Sequence, residues 1–560
     1  MKIFKTKKQL FVFYLLLFFV ANLLQSAYTE LIDDEAYYWW WSKNLDWGYF
    51  DHPPMVALWI KIGQYFFEGE LGVRFFSAFM FNFTLILVWL LIDIKSKWEY
   101  INHFFLLITA VILFNFYGFI TVPDTPLFFF AALFLYAYKR FLNIQKFKTA
   151  LFLGFAMAGM LYSKYHGLLI IFFVLLSHLS LLKKRYFWIS GLFAFVLFIP
   201  HLLWQYDNGF PSVVYHLNRS KKLYRIAFSL NHFLNQIIIV GLAFPVIYYA
   251  FFKNSFKDKF FKALLFILLG FIGFFFMSSF KTSTQLQWTS IIVIPLIVVS
   301  FPYIINHPKI RKWFVYLAIP NLIVLLYFRI ALADEGVSIF KWETHQNKEW
   351  IQDLRENSEG LPIVFHNSFQ NASKYRFYTG IETYSYNSIY YRKNQFDLYN
   401  IEDALQGKTI YEVSNFKTGR FMFNKRKKVY SGSKIKNYTS YQHLKCLVKE
   451  SLLDFKDKKT YNLVFKLINP YDKAIPVSKL KFYSVFQTKK HKITGYSQLK
   501  NIAVKGLKEG NLLAPNSEYE VGVTIEIPKN LDKTTTTFRI GISIYDFPAG
   551  FEGNPIKIIF

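Results

Sequence analysis

Long apolar runs constrain this chain more than any other feature of its sequence. They recur through the first 331 of its 560 residues, at 10–28, 71–92, 101–119, 126–142, 150–163, 167–182, 186–204, 231–252, 262–280, 286–305 and 313–331. A bilayer is crossed by a helix of about 20 mostly apolar residues, so the pattern predicts an α-helical polytopic membrane protein with about eleven spans.

The charged residues of the joining loops predict how these spans are oriented. With eleven spans, ten of the thirteen acids in residues 1–331 fall on one side and twenty Lys and Arg fall on the other. Because cytoplasmic loops are enriched in Lys and Arg, we expect a cytoplasmic N-terminus in the inner (cytoplasmic) membrane and acidic loops outside. The net charge of +29 then reflects loops that meet anionic lipid, and it does not indicate a nucleic-acid partner.

The composition becomes that of a soluble protein after Leu332, which the odd span count places in the periplasm or outside the cell. Residues 332–440 predict a small α/β domain. Residues 441–560 alternate apolar and polar positions, as in Phe538 to Ile544, and predict a β-sandwich-like domain. With residues 1–331 as a membrane domain, the chain is expected to have three domains, and its single cysteine excludes an intramolecular disulfide.

The first external loop, residues 29–70, carries an acidic cluster beside an aromatic run. Asp33, Asp34 and Glu35 precede two Tyr and three Trp residues. A carboxylate shielded by aromatic groups at the membrane surface gains a raised pKa, which suits a general base. Alternatively, the acids cap an interfacial helix and the aromatic residues anchor it in the interface.

A second acid lies on the same predicted side, at the start of the fourth span. Asp124 stands between Pro123 and Pro126. It is a good helix N-cap, and an acid at the mouth of a membrane bundle is also a candidate functional residue. Asp34, Glu35 and Asp124 offer oxygen ligands suited to Mg²⁺ or Mn²⁺, with Asp34 and Asp124 as the first choice, although they do not form a complete coordination set.

External cations complete the candidate site, because outward loops are otherwise poor in Lys and Arg. They are Arg74, Lys164, His166, Arg219, Lys221, Lys222, Arg225 and Lys281. Such groups bind phosphate well, although each one taken alone is also explained as a solvated loop charge or a lipid contact.

Four motifs resemble those of a known family. They are Asp33 to Tyr38 after the first span, Tyr49 to Met55, Gly72 to Phe75, and Pro123 to Pro126. In this order and at these places they resemble membrane glycosyltransferases of the GT-C fold, in the bacterial branch related to dolichyl-phosphate-mannose:protein mannosyltransferases and the lipid A aminoarabinose transferase. The chain departs from the family pattern at Tyr37, where relatives often have Arg, and at His52, where they have Lys.

The resemblance implies transfer of a hexosyl or pentosyl group from a polyprenyl-phosphate donor to an external glycan, lipid or protein hydroxyl, with inversion. Asp34 is similar to the family's catalytic base, and Glu35 and Asp124 to its other acidic site residues. The remaining predicted substrate contacts are Tyr38, Asp51, His52 and His166, together with Arg74, Lys164 and Lys281. The last three are assigned to the leaving phosphate from their charge and predicted side.

Two other classes of function compete with this one. A transporter or flippase of lipid-linked intermediates would need charges or broken helices near the bilayer midplane, whereas these spans are nearly free of ionisable groups at that depth. A non-catalytic scaffold that displays the β domain leaves the clustered external acids unexplained.

Overall fold

The computed structural model describes residues 6–218, 224–416, 421–425, 428–456, 458–489, 492–507, 511–528, 530–532 and 534–559. The chain forms two compact units. The first comprises Met1–Val213 and Lys221–Asn347, and the second comprises Val214–Ser220 and Lys348–Phe560. The domain boundaries expected near residues 331 and 440 stay predictions.

Helices make up the chain as far as Ala333. They are α1 Lys7–Tyr28, α2 Asp33–Lys43, α3 Met55–Gly63, α4 Gly69–Leu91, α5 Ile101–Ala110, α6 Ile112–Phe116, α7 Asp124–Asn143, α8 Phe147–Ser163, α9 His166–Ser177, α10 Arg185–Asp207, α11 Pro211–Asn218, α12 Ile226–Val240, α13 Phe244–Phe252, α14 Lys259–Ser279, α15 Val293–Asn306 and α16 Pro308–Ala333. Each apolar run named above contains helix, and one continuous apolar core extends through the unit from Phe11 to Ala318.

The structure has the helices of a multi-pass membrane protein. Within the described residues, six helical segments are long and apolar enough to span a bilayer. They are Lys7–Tyr28, Gly69–Leu91, Arg185–Asp207, Ile226–Phe252, Lys259–Ser279 and Pro308–Ala333. Shorter apolar helices occur at Phe147–Ser163, His166–Ser177 and Ser290–Asn306, so the total of eleven spans stays a prediction.

Two of the predicted spans are broken helices, and one asparagine compensates both breaks. One break separates α5 from α6, and the other follows Val240 at Gly241, whose φ is +78°. The Asn321 amide nitrogen donates to the carbonyls of Ala110 and Val240, and its oxygen accepts from the Leu242 N–H at 3.1 Å. Unpaired backbone groups are costly in an apolar interior, so this side chain makes both breaks tolerable.

The second unit contains α17 Asn347–Asn357, α18 Phe369–Thr379 and α19 Glu402–Leu405. Its strands are β1 Ile363–His366, β2 Thr383–Tyr386, β3 Ile410–Ser414, β4 Phe421–Lys425, β5 Lys428–Ile435, β6 Lys445–Leu447, β7 Leu452–Asp454, β8 Thr460–Asn469, β9 Ile475–Pro476, β10 Lys481–Thr488, β11 Ile493–Gln498, β12 Lys500–Val504, β13 Leu512–Leu513, β14 Ser517–Glu526, β15 Thr535–Ser543 and β16 Ile556–Ile559.

These strands form an α/β part followed by a two-sheet part. The first sheet has the order β2-β1-β3-β5-β4, in which β1 is parallel to both β2 and β3 and is followed by α18. The next two sheets have the orders β11-β10-β15-β16-β7 and β12-β14-β8-β6. Their apolar faces share one core, to which Phe465 and Val521 contribute from one sheet and Phe486 and Phe538 from the other. This is the arrangement of a β-sandwich.

Candidate active site

Glu35 and Arg74 form a fully buried ion pair in the first unit. Arg74 donates from Nε to Glu35 Oε1 at 2.8 Å and from Nη2 to Glu35 Oε2 at 2.5 Å, and both side chains have 0% exposure. The Thr121 N–H also donates to Glu35 Oε1 at 2.8 Å. Glu35 therefore joins the start of α2 to α4 and to the segment before α7.

Arg74 also caps the end of α1. Its Nη1 atom donates to the carbonyls of Ser26 at 3.2 Å and Thr29 at 2.5 Å, and Nη2 donates to the Glu30 carbonyl at 3.0 Å. The last carbonyls of a helix lack intrahelical partners and interact favourably with a cation. These contacts differ from the sequence prediction, because a buried and fully engaged Arg74 holds helices together instead of facing a phosphate. Glu35 likewise has a structural role here.

Asp124 and Lys164 form a second buried pair. Lys164 Nζ lies 2.8 Å from each carboxylate oxygen of Asp124, and both side chains are 7% exposed. Asp124 is the first residue of α7, and its side chain does not serve as the cap, since the N-cap residue is Pro123. The capping interpretation of Asp124 was therefore wrong. Lys164, at the C-cap of α8, fixes the Asp124 carboxylate in one orientation.

Tyr38 brings three of the predicted acids together. Burial raises the pKa of Tyr38 well above its ordinary value, and the negative charges of Asp34, Asp51 and Asp124 raise it further. The three carboxylates therefore lie near one phenol group. Asp34 is exposed in the first turn of α2, whereas Asp51 and Asp124 are buried. We call Asp34, Tyr38, Asp51 and Asp124 the acidic cluster.

Stacked rings shape the loop that carries Asp51 and His52. Tyr49 stacks on Trp41 with ring centroids 4.5 Å apart and an interplanar angle of 9°. The Tyr49 hydroxyl accepts from the Asp46 N–H at 3.1 Å and bonds to the Trp41 carbonyl at 3.1 Å. The His52 ring lies edge-on to Tyr38, 6.1 Å between centroids. The His52 ring is thus held next to Tyr38 of the acidic cluster, and the same loop carries Asp51.

Helix α10 fixes the same loop from another side. Trp204 Nε1 donates to Asp46 Oδ2 at 2.7 Å, and His201 Nδ1 lies 2.7 Å from the Trp47 carbonyl. Since a carbonyl only accepts, His201 carries its proton on Nδ1, and Nε2 accepts from the Tyr165 hydroxyl at 3.1 Å. His201 and Trp204 were not among the residues predicted from the sequence. The available signal was a histidine in the last turns of an otherwise apolar helix.

The remaining predicted cations have contacts elsewhere in the first unit. The His166 ring, at the start of α9, lies 5.2 Å from Phe275 and 6.5 Å from Trp288 between centroids. Lys281 is exposed just after α14. These contacts do not join them to the acidic cluster, so their phosphate-binding role stays a prediction. Arg219, Lys221 and Lys222 lie outside the described residues.

The predicted metal ligands Glu35 and Asp124 are each engaged by a cation. In the described ranges, no group of three or more His, Cys, Asp and Glu side chains is placed to hold a metal. Both oxygens of Glu35 accept from Arg74, and both oxygens of Asp124 accept from Lys164. The Mg²⁺ or Mn²⁺ site suggested at Asp34 and Asp124 stays a prediction, and no step of the proposed mechanism depends on it.

Comparisons with known proteins bear on this geometry. Residues 51–204 match the family model described as dolichyl-phosphate-mannose-protein mannosyltransferase. This range contains Asp51, His52, Asp124 and Lys164, and it begins after Asp34. No curated protein matches the sequence closely enough to count as a relative.

Solved structures show the fold. The chain is similar to apo ArnT from Cupriavidus metallidurans, with a TM-score of 0.57 and 13% identity over 76% of this chain and 97% of that one. The same protein bound to undecaprenyl phosphate gives a TM-score of 0.53 at 13% identity with the same coverage. An archaeal oligosaccharyltransferase from Archaeoglobus fulgidus, with a TM-score of 0.38 at 11% identity over 98% of this chain and 99% of that one, is too distant to carry an argument. The predicted GT-C fold is confirmed.

Proposed function

We propose that this chain is an integral-membrane glycosyltransferase that moves a sugar from a polyprenyl phosphate to an acceptor hydroxyl outside the cytoplasm. The observation that carries the proposal is the acidic cluster within a GT-C fold: the charges of Asp34, Asp51 and Asp124 act on the buried Tyr38, and Lys164 Nζ lies 2.8 Å from both carboxylate oxygens of Asp124. The family match over residues 51–204 supports the reaction class. The ArnT structure with bound undecaprenyl phosphate supports the choice of lipid carrier.

Asp34 is the proposed general base. It is the exposed member of the acidic cluster, so an acceptor can reach it from water. Its carboxylate takes the proton of the acceptor hydroxyl while the hydroxyl oxygen attacks the anomeric carbon. The bond from that carbon to the phosphate oxygen breaks, and the polyprenyl phosphate leaves with the electron pair. Attack opposite the leaving group inverts the anomeric configuration.

The other members of the acidic cluster orient the reactants. Asp124 is locked by Lys164 and can accept a hydrogen bond from a sugar hydroxyl without rotating. Tyr38, like any tyrosine, keeps its proton at neutral pH, and its raised pKa makes ionisation still less favourable, so it can act as a hydrogen-bond donor. Fixed polar groups of this kind lower the barrier because they need no rearrangement during the reaction.

The cations available to stabilise the leaving phosphate differ from those predicted from the sequence. Arg74 is fully buried in its pair with Glu35, and the charge of Lys164 is offset by Asp124. Of the three cations first assigned to the phosphate, Lys281 is the exposed one. We propose that Lys281 contributes a long-range favourable charge, and that the acidic cluster faces the outer side of the inner membrane, as the loop charges predict.

A substitution at Gly48 tests how strongly the transfer rate depends on the position of the loop that carries Asp51. A Cβ atom at Gly48 would lie 2.3 Å from a ring carbon of Trp204, whose Nε1 is already bonded to Asp46. Gly48→Ala must therefore displace the loop that carries Asp51 or the Trp204 ring that holds this loop through Asp46. A shift of about 1 Å near reacting groups lowers rates by about 100-fold, so we expect a loss of that order in transfer rate.

The matched control for this variant lies in the same part of the fold. Gly191→Ala in α10 adds a Cβ with no atom within 4 Å, and it should leave the transfer rate unchanged. Rates are measured with membranes that contain equal amounts of each variant. A Gly48→Ala protein as active as the Gly191→Ala protein would show that the loop needs no such precise placement.

Deletion of the gene tests the proposed function in the cell. Mass spectrometry of lipid extracts should find an accumulated polyprenyl-phosphate sugar, because its consumer is missing, and the same sugar should disappear from surface glycans, lipids or proteins. The accumulated compound identifies the sugar as a hexose or a pentose. A complemented strain that carries Gly191→Ala should restore the wild-type pattern. Unchanged donor levels and unchanged surface sugars would refute the proposal.

A further inference from the structure

A buried arginine in the second unit has no assigned role. Arg539, on β15, is 8% exposed, and its Nε atom has no hydrogen-bond partner among the residues that the structure describes. A charged group removed from water is strongly destabilising unless a partner compensates for the lost hydration. Native structures pair most of their buried polar groups, so an uncompensated guanidinium nitrogen requires an explanation.

The local contacts of Arg539 do not use its N–H donors. Its guanidinium carbon lies 5.5 Å from the ring centroid of Phe551, and Lys393 Nζ lies 5.6 Å from the same centroid. A cation above a ring is stabilised through the ring face, while the in-plane N–H groups of the guanidinium stay available. Two cations therefore lie within about 6 Å of the centre of one aromatic ring.

The nearby acid does not offset this charge. Glu552 is the acid whose charge acts on the Arg539 guanidinium. Burial raises the pKa of Glu552 to about 8, so the carboxyl is mostly protonated at neutral pH. Its Oε2 atom accepts from the Ile542 N–H at 2.7 Å. Glu552 is thus committed to the backbone of β15 and leaves Arg539 without a fixed counter-charge.

Two tyrosine rings lie on the same sheet face as Arg539, on the far side of the buried Val485. Arg539 is paired with Val485 on β10, and Val485 is paired with Tyr496 on β11. Residues paired across neighbouring strands lie on the same face, and two strand spacings separate Arg539 from Tyr496 by about 10 Å. Tyr496 stacks on Tyr483 with centroids 4.6 Å apart at 11°, and both rings are partly exposed.

We propose that Arg539 is the anion-binding group of a ligand site on this face, and that the ligand carries a carboxylate or phosphate group. The planar guanidinium binds such groups through two parallel N–H donors. Lys393 adds a second positive charge at the exposed rim. Phe551, whose ring centroid lies 5.5 Å from the Arg539 guanidinium carbon, provides an apolar surface for the part of the ligand next to the anionic group. The proposal does not depend on the transferase activity.

Calorimetric titration of the full-length protein in detergent tests this site. The probes are inorganic phosphate, glucuronate and glucose, which separate a phosphate, a sugar carboxylate and a neutral sugar. We expect saturable binding of phosphate or glucuronate and not of glucose, and the tighter of the two identifies the anion. Arg539→Met should weaken that binding by about tenfold or more. The Asp34→Asn protein should bind as the wild type does, which separates this site from the transferase chemistry.

The control is Lys505→Met, which removes an exposed lysine from the same unit and should leave binding unchanged. If Arg539→Met does not fold, Arg539→Lys keeps the charge, loses the paired donors and should also bind more weakly. Undiminished anion binding in the Arg539 variants overturns the proposal. Binding of glucose as tight as that of the anions, or no anion binding by the wild type, also overturns it.

Discussion

Replacing Asp34 with asparagine is expected to lower the rate of sugar transfer by about 100- to 10,000-fold, the range in which loss of a general base falls. Asparagine has nearly the same shape and cannot take a proton from the acceptor hydroxyl. Asp34 is exposed at the surface of the first unit, and asparagine keeps the size of its side chain. The melting temperature and the elution volume in detergent should therefore match those of the wild type.

Asp33 provides a matched control for this variant. It is the adjacent acid in the first turn of α2, and its backbone N–H donates to Glu343 at 3.0 Å, a contact that Asp33→Asn preserves. Asp33 is not among the acids that act on Tyr38. Its asparagine variant should keep a rate within a few-fold of the wild type. Equal rates for the Asp34→Asn and Asp33→Asn proteins would eliminate Asp34 as the base.

Arg74→Met should destabilise the first unit by about 3–5 kcal/mol, because it leaves the Glu35 carboxylate buried without its partner. The change also removes the donors that cap the carbonyls of Ser26 and Thr29 at the end of α1. We expect a marked fall in the melting temperature of the purified protein, and a similar fall for Glu35→Gln. The double variant should lose less stability than the sum of the two single losses, since the two side chains interact.

An exposed ion pair in the same unit provides the comparison for this prediction. Lys139 and Asp93 lie 2.6 Å apart, with the Asp93 side chain 69% exposed. Asp93→Asn should cost less than about 1 kcal/mol, as is usual for pairs in contact with water. If Arg74→Met melted at the temperature of the Asp93→Asn protein and instead bound a polyprenyl phosphate more weakly, the original assignment of Arg74 to the phosphate would be correct.

The sequence predicted the membrane helices and the positions of the acids better than it predicted the pairing of charges. Apolar runs report directly on burial in lipid, so the helices lie where the runs are. Asp34 and Asp124 were assigned to one membrane face from loop charge and motif order. The buried pairing of Arg74 was not predicted, because charge and predicted side do not distinguish an exposed cation from one that contacts a helix end inside the bundle; its phosphate-binding role stays a prediction.

Contacts between distant segments explain what else the sequence did not reveal. Asn321 compensates for helix breaks near Ala110 and Val240, which lie far from it in the chain. His201 fixes the loop at Trp47 across a similar sequence separation. The sequence around Asn321 or His201 does not indicate which distant segment the side chain contacts. Such roles become visible only when the packing of the helices is known.

Transfer by the purified protein in liposomes tests the central claim most directly. The donor is the polyprenyl-phosphate sugar that accumulates in the deletion strain, and the acceptor is the surface material that lacks this sugar in the same strain. Nuclear magnetic resonance of the product reports the configuration at the anomeric carbon. The proposed mechanism predicts transfer with inverted configuration, abolished by Asp34→Asn and retained by Asp33→Asn. A product with retained configuration, or no transfer by the wild-type protein, would contradict it.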